Sequence, residues 1–205
     1  MKQIQWILAV LFLSAVTFTS CNEDDPEPDP NQVAYDNADH ANGGIMYDKF
    51  WAAESNFDQN DPNLSTISDN ADFFRCKQCH GWDGLGSAGA YINRAPKTTR
   101  PNVSGLNLYQ SAQNKTAVEL FEAMKATNGR RDISTDLSTY DPETNSAEGD
   151  KMPNYSQILT DAQIWDLVKF MKEGMFDVSK LYDINLTGTY PTGSRTFSNV
   201  GKDGN

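Results

Sequence analysis

Thiols and imidazoles are scarce in this sequence: 205 residues carry three cysteines (Cys21, Cys76 and Cys79) and two histidines (His40 and His80). A structural zinc site takes four such ligands, and beyond the run Cys76–His80 only Cys21 and His40 remain, which argues against one. Bases are few as well. There are 17 Lys and Arg against 28 Asp and Glu, net −11, a balance that speaks against nucleic-acid binding. No apolar run reaches the roughly 18 residues of a membrane span. Strand-like alternation is missing before residue 181, so the Cys-x-x-Cys lacks the alternating strand–helix setting of a dithiol redox motif. No catalytic triad or metal cluster is recognisable. The glycine-rich stretch Gly81–Gly86 has neither the strand before it nor the helix after it that a nucleotide loop needs.

What is present begins with an export signal. Residues 1–20 hold one charge, Lys2, then the apolar run Trp6–Leu13 and small polar residues, the layout of a cleaved signal peptide. Thr19-Ser20-Cys21 resembles the lipobox of bacterial lipoproteins, with Phe18 and Ser20 standing where Leu and Gly or Ala are usual. The resemblance implies lipidation of Cys21, with ordinary cleavage nearby as the alternative. An exported, outer-membrane-anchored lipoprotein follows, facing the periplasm or the cell surface. The second face is raised by Asn22-Glu23-Asp24-Asp25, which resembles a surface-export signal. Residues 21–40 are acidic and proline-rich and read as an extended linker. Seven acids and no base fall at 21–39. Without the signal the chain has 28 acids and 16 bases, net −12, so all but −5 belongs to that linker.

Residues 41–180 form the expected domain, with 181–205 a tail of unassigned role. Tyr47, Phe50 and Trp51 fall at helical spacing, and Gly43-Gly44 before them marks either a close helix approach or a helix start. Thr116 and Glu119 make a capping box ahead of Ala117, Leu120, Phe121 and Met124, with Gly129 as a stop, giving a helix over 116–128. Thr160 and Gln163 make another ahead of Ile164, Leu167, Val168, Met171 and Met175. The expected class is all-α, about three to five helices with long loops. Residues 132–150 carry six acids and no base and read as a solvated insertion or a calcium loop. In the tail, 186–190 and 195–200 pair as short strands or lie as a strap.

Between the first two helices stands Cys76-Lys77-Gln78-Cys79-His80. Two thiols at this spacing can each add to a vinyl group of one haem, and the next residue then lies beneath the iron, which makes this a covalent haem c attachment site. Two further stretches join it. Arg100-Pro101-Asn102-Val103-Ser104-Gly105-Leu106 is similar to a Pro-Asn-Leu-x-Gly-Leu run, and Lys151-Met152-Pro153-Asn154-Tyr155 precedes the last helix. Over about 41–178 the chain thereby resembles a class I c-type cytochrome domain.

That resemblance implies a cytochrome c-like fold around one covalent haem. Cys76 and Cys79 would attach it, and His80 would bind iron while donating its other ring N–H to the Pro101 carbonyl, with Pro96 a competitor. Met152 would bind the opposite face, and Pro153 keeps it out of helical geometry. His40 is the alternative sixth ligand. Met46, Met124, Met171 and Met175 lie on helical stripes, where packing is their expected job. With both axial places filled the implied activity is one-electron transfer, with no catalytic residue. The runners-up are the haem subunit of an oxidoreductase, for example of small sulfur compounds, and a haem gas sensor. Residues 75–131 carry nine bases and three acids. Arg75, Lys77, Arg94, Lys97 and Arg100 would present a positive patch to the acidic face of a redox partner, or else neutralise haem propionates.

Overall fold

In the computed structural model, which describes residues 27–53, 67, 69–144 and 148–202, the folded chain starts inside the segment that reads as linker. Asp29 caps helix α1 (Pro30–Asn37), accepting from the Asn31 N–H at 2.9 Å. Pro30 sits in the first turn, where its missing N–H is no loss. Tyr35 anchors α1 by donating to Glu173 at 2.6 Å and standing edge-on to Trp165. A cap and one aromatic anchor thus outweigh acidic, proline-rich composition, and within the linker expected over 21–40 the residues Pro30–Asn37 are helical and packed on the body. The signal segment and Cys21 lie outside the described residues.

Five further α-helices follow among the described residues: α2 (His40–Ala53), α3 (Cys76–His80), α4 (Leu108–Gln113), α5 (Ala117–Lys125) and α6 (Asp161–Lys169). α2 is kinked at Lys49, where φ is −160° and ψ 79°. Its face of Tyr47, Phe50 and Trp51 is buried. The paired glycines let α6 come close, since a Cβ on Gly43 would stand 2.0 Å from the Asp166 carbonyl oxygen. Both capping boxes form. α5 stops at Lys125, short of Gly129, with Ala126 extended (ψ 136°). The side chain of Arg130 reaches back to the Ala123 carbonyl at 2.9 Å and takes up an orphan acceptor of the last turn. Beyond Lys169, α6 widens into a π-turn, Phe170–Gly174, and its stripe of Ile164, Leu167, Val168, Met171 and Met175 is buried.

The 132–150 loop is not a solvated insertion. Ile133, Leu137 and Tyr140 are buried, and Tyr140 packs edge-on against Phe73 at 5.0 Å. Asp132, Asp136 and Asp141 cap tight turns by accepting from Ser134, Ser138 and Thr144. Among the described residues no group of acids, thiols or imidazoles is arranged to hold a metal ion. The tail corrects the all-α expectation with an antiparallel hairpin, β1 (Asp183–Thr187) and β2 (Ser194–Ser198), pairing Asp183 with Ser198 and Thr187 with Ser194. The fold is mostly helical with this small sheet attached. No helix among the described residues is long and apolar enough to cross a membrane.

Candidate functional site

Positions i, i+3 and i+4 share one face of a helix, so the short α3 presents Cys76, Cys79 and His80 together. Its ends are tied to α2. Arg75 and Lys77 both pair with the Asp48 carboxylate, and the Tyr47 hydroxyl donates to the Gly81 carbonyl at 2.6 Å. Gly81 leaves the helix at φ +76°, and a Cβ there would stand 2.5 Å from the Asp83 carboxylate. On the other side, the Cys76 thiol lies 3.6 Å from the Tyr155 hydroxyl, which donates to the Phe74 carbonyl at 2.7 Å.

Burial pushes the Cys76 thiol up to about 11 and the Cys79 thiol up to about 12. A dithiol redox pair works through a lowered thiol pKa, and these two are raised. Burial first, and then the positive charge of Arg130, lower His80 to about 4. The imidazole is therefore neutral at pH 7, the form that binds metal.

Met152 is placed by its backbone. The Arg131 N–H donates to the Met152 carbonyl at 2.9 Å, and the Asn154 N–H donates to the Arg131 carbonyl at 2.8 Å. This short parallel bridge across Pro153 brings Met152 to α3. Two cavities of about 310 and 350 Å³ share five lining residues, Cys76, His80, Leu106, Arg130 and Met152. The first is otherwise walled largely by apolar side chains such as Leu108, Leu120 and Leu167, and also by Met124 and Met171. Met46 is fully buried in the core and Met175 is also buried. His40 is exposed at the start of α2, where its ring edge lies 3.5 Å from a Cβ built on Gly174, and it lines neither cavity.

The hydrogen bond expected between His80 and the Pro101 carbonyl is not formed. Nδ1 of His80 is buried without a partner. Pro101 is buried, but it is the following residues Asn102, Val103 and Ser104 that line the second cavity.

Haem c fits this donor set. The macrocycle matches the apolar walls, a neutral imidazole and a thioether are donor types that iron accepts, and the two thiols are protonated and on one helix face. Its carboxylates match one more orphaned atom, Nε of Arg130, which lines both cavities, while Nε and Nη1 of Arg131 are also buried without a partner but line neither cavity. Arg131 is 0 % exposed, its guanidinium 4.7 Å over the Phe74 ring and Nη2 donating to the Phe73 carbonyl at 2.7 Å. Charged donors left unpaired in the interior are costly, which is why these two arginines matter. Sequence reasoning counted them only as part of a basic stretch. The signal available was their position, adjacent to each other and directly before the acidic loop that leads to Met152.

A family model described as cytochrome c matches residues 65–174, which is 110 of the 205 residues. No curated protein and no solved structure matches the chain.

Proposed function

Because this chain belongs to the cytochrome c family, we propose that it is a mono-haem one-electron carrier of an exported redox chain, anchored through a lipid on Cys21. Haem c, bound covalently as in the family, supplies an iron that alternates between ferrous and ferric states. The protein's part is to hold and tune that group. Cys76 and Cys79 would carry the thioether links, His80 and Met152 would hold the iron, and Arg130, which lines both cavities, would offer a positive charge to the carboxylates. Thioether ligation and burial both raise the potential relative to a bis-histidine site. Buried apolar walls keep water out, and the ties of α3 to Asp48, Tyr47 and Tyr155 restrain the ligand-bearing face, which suits transfer with little rearrangement.

The observation that carries this reading is the shared lining of the two cavities: a neutral His80, Cys76 and the bridge-held Met152 face one space. The test is an absorption spectrum of the exported protein, oxidised and reduced, beside Met152→Ala, Met124→Ala and Met171→Ala. A c-type reduced spectrum is expected in all four. A methionine-to-ferric charge-transfer band should be lost only in Met152→Ala. Loss of that band in one of the other two variants, with Met152→Ala unchanged, would move the ligand there.

A further inference from the structure

The tail reaches the site. Its hairpin lies against residues 92–103 at three points. A Cβ on Gly193 would stand 2.6 Å from the Ile92 side chain, and Arg195 donates to the Asn93 side-chain oxygen at 2.8 Å. Tyr190, in the β1–β2 connection, accepts from the Val103 N–H at 3.0 Å. Its own proton can go to the Arg94 carbonyl or to Asn102 Oδ1, each at 3.2 Å.

Asn102 passes the connection on. Its backbone and side-chain N–H groups donate to the two oxygens of Asp150 at 2.8 and 2.7 Å, and the Tyr140 hydroxyl donates to the same carboxylate at 2.8 Å. Asp150 is two residues before Met152, and the Ser104 N–H donates to the Cys79 carbonyl at 2.8 Å. One run of hydrogen bonds thus leads from the hairpin, through the loop beside α3, to the loop that carries Met152. Those to a carboxylate are the stronger kind. The hairpin lies beyond the residues that the family model matches, 65–174.

We propose that the C-terminal hairpin is a latch on the haem site, and that Tyr190 is a positioning residue which, through Asn102 and Asp150, keeps the Met152 loop closed against α3. The proposal rests on Met152 as the sixth ligand. A closed loop keeps the methionine in place, and an opened one leaves that position to an added ligand. The population of the open form follows the strength of the hydrogen-bond run.

The experiment compares the full holoprotein with Tyr190→Phe, Asp150→Asn and the double variant. Carbon monoxide uptake by the reduced protein is timed, and the charge-transfer band and thermal midpoint are recorded. Tyr190→Phe should keep covalent haem and the band but take up carbon monoxide about two- to tenfold faster, the equivalent of one ordinary hydrogen bond. Asp150→Asn should be at least as fast, and the double variant no faster than Asp150→Asn, because both break one connected run. Arg195→Ala, which frees the hairpin tip and leaves the run intact, should accelerate uptake less than Tyr190→Phe, and it serves if Tyr190→Phe fails to mature. Wild-type uptake rates in Tyr190→Phe and Arg195→Ala, or a double variant equal to the product of the singles, would overturn the latch while the band stands. A lowered thermal midpoint with unchanged uptake would count as plain structural loss and also overturn it. A wild type without the band would instead overturn the Met152 reading, and the latch with it.

Discussion

At Asp132 one exposed carboxylate accepts from the Ser134 hydroxyl, from the Gln157 amide and from the Ser134 N–H, and these bonds lower it to about 2. A carboxylate depressed in the folded state stabilises above its unfolded pKa of about 4, and that contribution is lost as pH falls through the folded value. Asp132→Asn should therefore remove part of the stability loss between about pH 4 and pH 2. Denaturant unfolding of both proteins at several pH values checks this, and parallel pH curves would refute it. Asp48 follows the same physics beside α3. Burial raises its carboxyl, but hydrogen bonds from Arg75 and Lys77 outweigh that and hold it below the usual carboxylate range. Neither pairing is visible in sequence, because Asp48 is separated from both bases by a long stretch of chain.

Among the elements, α2 and α6 show what local sequence settles and what it leaves open. Each capping box closes within four residues, so Thr116/Glu119 and Thr160/Gln163 are legible as text. The end of α5 is set by the Arg130 side chain folding back on Ala123, and no stop signal announces it. Gly43-Gly44 left two readings open until α6 was seen against them. Gly43→Ala would place a methyl group 2.0 Å from the Asp166 carbonyl oxygen. Backbone cannot yield as a flexible side chain does, so the helices must separate. The expected loss is about 1–3 kcal/mol, a fall in thermal midpoint of several degrees in the holoprotein. An unchanged midpoint would mean the two helices are not held at this distance in solution.

Across the whole molecule, charge is redistributed by folding. Of the five bases expected to steer a partner, Arg75 and Lys77 pair with Asp48 and Arg94 pairs with Asp72. Among the described residues Lys97 and Arg100 have no carboxylate within ion-pair distance. We propose that any contact with an acidic partner falls on these two. Lys97→Glu with Arg100→Glu should slow reduction by such a partner roughly tenfold at low salt and much less at high salt. A wild-type rate that is the same at every ionic strength would sink the idea. The sequence alone determined the attachment motif, the starts of α5 and α6, the apolar stripes and the helical body, because each depends on residues no more than a few positions apart. Only the tertiary structure decided that α1 belongs to the body, that the acidic loop is anchored by Ile133, Leu137 and Tyr140, that Arg131 is buried, and that Tyr190 reaches Asn102. These contacts join residues tens of positions apart, and their free energy comes from burial and hydrogen bonds that exist only after the chain has closed on itself.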